Sequence, residues 1–146
     1  MTMLELSRKT EVGDDDRFTD REVTILSTEE CDLPDKHLIK VTACWRGMSS
    51  TDAPTIVTLS ITDKGDAHKQ EQSHRIDTES TGQAGGEMSR VLKVLARRGD
   101  ITPGPNLFKL KAVRALGNGA VQIQAAAKYP IEIRVEDLGV IPTHLL

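Results

Sequence analysis

Aromatic residues are nearly missing from this chain: Trp45, Tyr129, Phe18 and Phe108 are the whole set, 3% of 146 residues. A core therefore has to be aliphatic. The rings that stack bases in sequence-tolerant single-strand binding, or that form platforms for sugars, are too few. Cysteine is equally sparse: Cys31 and Cys44 make no disulfide framework. Both are expected to be reduced and packed, Cys44 inside a strand and Cys31 near a loop. No apolar run approaches the length needed to span a membrane. Residues 1–6 show no charged region leading into an apolar run, so no signal peptide is expected and synthesis in a cytoplasm follows.

Groupings that carry chemistry are missing as well. The loop Gly82-Gln-Ala-Gly-Gly-Glu-Met88 is rich in glycine but lacks the Gly-Lys-Ser/Thr ending that sets a cation and a magnesium ligand against phosphates. His68, Glu71 and His74 would cluster on a helix. On a strand His68 and His74 share a face but stand about 20 Å apart, too far to hold one ion. No base or orienting group marks either cysteine as a nucleophile, and packing explains both. Glu136 and Asp137 are adjacent carboxylates, yet neighbours in a strand point to opposite faces and cannot flank one substrate. The expectation is a non-enzymatic protein with no catalytic residues, no metal and no cofactor.

The chain does have a charge asymmetry. Its net charge is −3, but residues 1–36 carry eleven acids and five bases, whereas residues 37–146 carry eleven acids and fourteen bases. Neither part is basic enough for a nucleic-acid protein. Residues 1–21 read as an extended arm, because the self-repelling run Asp14-Asp15-Asp16 has few apolar neighbours to offset its ordering entropy. Leu4, Leu6 and Val12 are the candidate anchors of that arm in a partner's shallow grooves, with Asp14, Asp15 and Asp16 meeting a basic rim. A merely solvated acidic leader is the alternative.

From residue 22 the period becomes two. Ile39, Val41, Ala43 and Trp45 share one face, with Lys40, Thr42, Cys44 and Arg46 on the other. Val57, Leu59 and Ile61 are expected inward, and Thr58, Ser60 and Thr62 outward. Residues 67–80 are polar on both faces and read as an edge strand or loop. Residues 88–97 fit helix or strand, and the surrounding pattern favours strand. Phe108, Leu110 and Ala112 alternate with polar neighbours, as do Val121, Ile123 and Ala125. Gly117-Asn-Gly119 between those two runs is the strongest hairpin signal in the chain. A last strand places Ile133 and Val135 inward. Short strands with turn signals between them predict an antiparallel β-sandwich. Its core is expected to be Ile39, Val41, Trp45, Val57, Leu59, Ile61, Phe108, Leu110, Val121, Ile123, Ile133 and Val135. The expected domains are an arm over residues 1–21, a sandwich over 22–140 and a tail over 141–146.

Three segments carry a resemblance. Gly104-Pro-Asn-Leu-Phe-Lys-Leu-Lys-Ala-Val-Arg114, Gly117-Asn-Gly-Ala-Val-Gln-Ile-Gln124 and Pro130-Ile-Glu-Ile-Arg-Val-Glu-Asp-Leu-Gly139 resemble a module of tailed-bacteriophage virion surfaces. The module occurs in head-decoration, minor tail and tail-fibre proteins, notably of phages infecting actinobacteria. Strand order extends the likeness over roughly residues 22–140, but specific wording is confined to residues 103–139. Members often follow the final glycine with proline, whereas this chain has Val140-Ile141-Pro142. The resemblance implies a jelly-roll-like sandwich, commonly trimeric, on a virion surface, and it carries no catalytic residues. It implies a decoration (cement) protein that binds the major capsid protein or other virion proteins, with no nucleic acid and no membrane as partner. A minor tail, baseplate or tail-fibre subunit, or a carbohydrate-binding module at a tail tip, are the alternatives.

Overall fold

The computed structural model describes residues 4–11, 16–45, 47–51, 54–76, 86–124 and 131–146. Where the sequence alternates, strands form. In chain order they are β1 (Leu4–Glu11), β2 (Asp16–Phe18), β3 (Val23–Ser27), β4 (Cys31–Leu33), β5 (His37–Trp45), β6 (Gly47–Ser50) and β7 (Thr55–Asp63). They continue as β8 (Gln70–Ile76), β9 (Gly86–Lys93), β10 (Gly104–Asn106), β11 (Phe108–Leu116), β12 (Val121–Gln124) and β13 (Ile131–Val140). A 3-10 turn, Thr143–Leu145, follows.

Eight of these strands make two four-stranded antiparallel sheets, β1-β13-β5-β9 and β3-β11-β7-β8. Counted among themselves along the chain, the eight run 1-8-3-6 in one sheet and 2-7-4-5 in the other. Each sheet thus interleaves early and late strands, the double Greek key of a jelly roll. The shorter sheets β2-β12-β6 and β10-β4 complete the pairing. One aliphatic core unites both layers, and all twelve residues expected there are in it. Phe108, Ile39, Leu59 and Ile133 are among its fully buried side chains.

Several local expectations are met. Residues 86–93 form a strand, since β5 supplies a partner along the whole segment, from Trp45 opposite Gly86 to Leu38 opposite Lys93. β8 is the edge of its sheet, and its outward residues Glu71 and Ser73 are exposed.

Three expectations are corrected. The sandwich does not begin at residue 22: β1 is the first of the eight jelly-roll strands, hydrogen-bonded along β13 from Leu4 opposite Asp137 to Glu11 opposite Ile131. Residues 4–11 therefore have their partner within the chain, where a free arm was expected. The hairpin across Gly117-Asn-Gly119 is also not formed. β11 pairs with β3 and β7, whereas β12 pairs with β2 and β6. A long-range partner outcompetes the local turn: Thr51 N–H donates to the Ala120 carbonyl at 3.0 Å, and Ala120 N–H donates to Thr51 Oγ1 at 2.9 Å. Gly117 takes φ +111° there, and a Cβ would stand 2.8 Å from Thr55 Oγ1. Finally, Ser60, Thr62 and Thr42 are buried, although their strand parity is outward. Lys111 lies opposite Ser60 and Lys109 opposite Thr62, and long alkyl stems beside short side chains can cover them. Thr42 lies between Arg134 and Ser89 of the neighbouring strands.

Candidate binding surfaces

The outer face of β3-β11-β7-β8 carries a lattice of ions. The β7–β8 turn swings Asp66 over the sheet with φ 56°, a left-handed conformation that Asp tolerates better than most residues. Lys111 and Lys109 reach it at 3.0 and 3.1 Å, and Lys111 also lies 3.6 Å from Glu22. Lys69 joins Glu22 at 3.1 Å and Glu71 at 3.2 Å. Hydrogen bonds from Lys111 and Lys109 hold the Asp66 carboxyl below the usual carboxylate range. Bonding to Glu22 raises Lys69.

The outer face of β1-β13-β5-β9 repeats the design. Arg8 bridges Glu5 at 2.6 Å and Glu132 at 2.7 Å, and Arg134 bridges Glu132 at 3.0 Å and Glu136 at 3.1 Å. Acids and bases stand side by side along β1 and β13, so their charges largely compensate. Cys44 lies in this face with Sγ 3.7 Å from Glu87. Burial, reinforced by Glu87, pushes its thiol up, and burial likewise raises Cys31. Neither is an activated thiolate.

Two carboxylate–imidazole pairs brace turns. Asp137 accepts from His37 Nδ1 at 2.9 Å and from Gly139 N–H at 2.8 Å, fixing the irregularity near the end of β13. Asp63 accepts from the N–H groups of Ala67 and His68 at 2.8 and 3.0 Å, with His68 Nδ1 at 3.2 Å. Burial alone would raise the Asp63 carboxyl, but these hydrogen bonds and the His68 ring outweigh it and hold the group below its ordinary value. Sequence inspection missed both pairs, because their members meet only through tertiary structure or a turn.

The third feature lies where the edge strands of the two sheets come together. β9 ends one sheet and β8 the other. Across that edge the Trp45 indole meets the His74 ring edge to face, with centroids 5.1 Å apart at 72°. Gly86 permits the indole's position, since a Cβ there would stand 2.7 Å from Trp45 Cζ2. Burial lowers the pKa of His74.

The anchors expected from sequence are scattered. Leu4 pairs within β1, and Leu6 packs against the core. Asp16 opens β2 opposite Ile123. Val12, Asp14 and Asp15 fall outside the described residues, as do the glycine loop before Gly86 and residues 125–130. His68, Glu71 and His74 do not converge: His68 bonds Asp63, Glu71 meets Lys69, and His74 meets Trp45. No group of metal-ligating side chains occurs among the described residues. No helix there is long and apolar enough to cross a membrane.

No protein-family model matches the chain, and no curated protein sequence does. Among solved structures it is similar to TmCBM61, determined in complex with β-1,4-galactotriose, at 11% identity and a TM-score of 0.37. That likeness covers 82% of this chain and 67% of the other. It is also similar, again at 11% identity and a TM-score of 0.37, to a chain of infectious bursal disease virus, Gx strain. There 99% of this chain is covered but only 43% of the viral one, so this chain spans less than half of that length. Likenesses this remote carry no functional weight. The fold assignment, an antiparallel jelly-roll sandwich, rests on the strand order itself.

Proposed function

We propose that the chain is a non-enzymatic structural protein of a tailed-bacteriophage virion, a head-decoration protein bound as a trimer to the major capsid protein. The observation that carries the reading is where the phage-like wording falls in the fold. Residues 104–114, 117–124 and 130–139 supply β10 to β13, and β11 and β13 are interior strands, one in each four-stranded sheet. Likeness confined to Phe108, Leu110, Ile133 and Val135 would reflect core packing alone. The same segments also contain Lys109, Lys111, Glu132, Arg134 and Glu136, which carry the ionic lattices of both outer faces. Broad polar faces with compensated charge suit repeated contacts in a symmetric assembly.

Antibody-gold labelling of purified virions tests the assignment. Label spread over the heads is expected. Label confined to tails would move the protein to a tail subunit, and unlabelled virions would overturn the proposal. Sedimentation equilibrium of the purified protein tests the trimer. A monomer both in solution and on the particle would remove it.

A further inference from the structure

Gly117-Asn118-Gly119 has the chemistry of a hairpin turn, yet it joins strands of different sheets. It forms a bend without a backbone hydrogen bond of its own. What holds the segment lies at its end. Arg114 Nη1 donates to the Gly119 carbonyl, and Ala120 shares two hydrogen bonds with Thr51. Asn118, just before these ties, is exposed. Among the described residues nothing binds its carboxamide, and nothing accepts from the Gly119 N–H.

An asparagine followed by glycine is open to attack by the next backbone nitrogen, because no β-carbon obstructs the approach. The chain has two asparagines, Asn106 and Asn118, and only Asn118 precedes a glycine; no aspartate does. Asn106 precedes the bulkier Leu107, and its Oδ1 accepts from the N–H groups of Lys64 and Leu107 at 3.1 and 2.9 Å. There the carboxamide is anchored and the neighbouring nitrogen is engaged as a donor. At Asn118 both groups are free. The Arg114 guanidinium stands beside Gly119, where its charge favours an amide anion that attacks and a carboxylate that results.

We propose that Asn118 is a site of spontaneous deamidation, driven by the free Gly119 nitrogen. Hydroxide takes the Gly119 amide proton, and the nitrogen forms a bond to Asn118 Cγ. The Cγ–Nδ2 bond breaks, and Nδ2 gains a proton from water and leaves as ammonia. A five-membered succinimide remains. Water opens it at Cγ to give aspartate, or at the main-chain carbonyl carbon to give isoaspartate. Isoaspartate adds a methylene to the backbone directly before Gly119 and Ala120. That displaces the contacts to Arg114 and Thr51 through which β12 reaches β6. The inference stands apart from the virion assignment, since the reaction needs only water and hydroxide.

The folded full-length protein is incubated at mildly alkaline pH and digested with trypsin, and an unincubated sample corrects for conversion during digestion. Mass spectrometry then compares the fragments 99–109 and 115–128, which hold one asparagine each. Fragment 115–128 should separate into aspartate and isoaspartate forms with the change placed at Asn118. Its conversion should be at least about tenfold faster than that of 99–109, the factor that breaking one hydrogen bond adds to a barrier. Raising the pH should speed it further. The aged protein should melt at a lower temperature than the fresh one. Aged N118Q should not, because its longer side chain would have to close a six-membered ring. No conversion of 115–128, a change placed at Gln122 or Gln124 instead, or conversion no faster than in 99–109 would each overturn the inference. So would an isoaspartate-containing protein that melts like the fresh one, or an equal drop in N118Q.

Discussion

The Trp45 indole and the His74 imidazole meet edge to face, 5.1 Å between centroids, and so tie an interior strand of one sheet to the edge strand of the other. Trp45 lies inward on β5, with Gly86 beside it on β9, and His74 reaches it from β8. The contact links the two sheets at their β8 and β9 edges. It also makes those edges sensitive to small changes in packing.

Gly86→Ala should therefore be more disruptive than its size suggests. The added methyl would stand 2.7 Å from Trp45 Cζ2, and the ring has little room in a filled core. A loss of about 1–3 kcal/mol is expected, with an altered Trp45 emission spectrum. Urea denaturation followed by fluorescence measures both, and an unchanged midpoint and spectrum would refute the close contact.

Phe108→Ala removes the largest fully buried side chain of β11. Phe108 is one of only four aromatic residues in the chain. A destabilisation of about 3–5 kcal/mol is expected. Chemical denaturation gives the value, and less than about 1 kcal/mol would mean that the site collapses around the cavity.

Deleting residues 1–11 takes away β1 and exposes the edge of β13. A free solvated arm could be removed without effect. A jelly-roll strand cannot, because the backbone groups of β13 lose their partners and Leu6 leaves the core. A loss of at least about 2 kcal/mol, or roughly 4–8 °C in Tm, is expected, together with a tendency to associate through the bared edge. Thermal melting and size-exclusion chromatography test this, and an unchanged melt would restore the arm.

Asp63 should make the protein acid-sensitive. Its carboxyl is held below the ordinary value in the folded state, so it contributes stability above the unfolded carboxylate pKa. That contribution is lost as pH falls through the folded value. Asp63→Ala should cost about 1–3 kcal/mol at neutral pH, because the N–H groups of Ala67 and His68 lose their acceptor. The gap between the two proteins should close on acidification. Denaturation midpoints at several pH values give the comparison, and a gap independent of pH would contradict the assigned role.

Much of this architecture was legible along the chain, and the reason is the period of two. Alternation in residues 38–45, 55–61, 108–112 and 131–135 assigns strands and their inward faces without any tertiary information, since each side chain's face follows from parity. All twelve expected core residues are buried for that reason. The polar lower half of the pattern told less. Ser60, Thr62 and Thr42 have outward parity but are buried, and parity says nothing about what lies across the strand.

What alternation could not supply is pairing. Gly117-Asn-Gly119 has the local chemistry of a hairpin, yet Thr51 captures Ala120 and sends β12 to another sheet. Residues 4–11 look like a solvated leader because their attachment rests on backbone hydrogen bonds to β13, with Leu6 packed against the core, and backbone groups leave no trace in composition. The contact between Trp45 and His74 was equally invisible. Its two rings come from strands of different sheets, and only the jelly-roll order brings the edges β8 and β9 to the same side. Local sequence decides which face a side chain takes, whereas long-range strand order decides which faces meet.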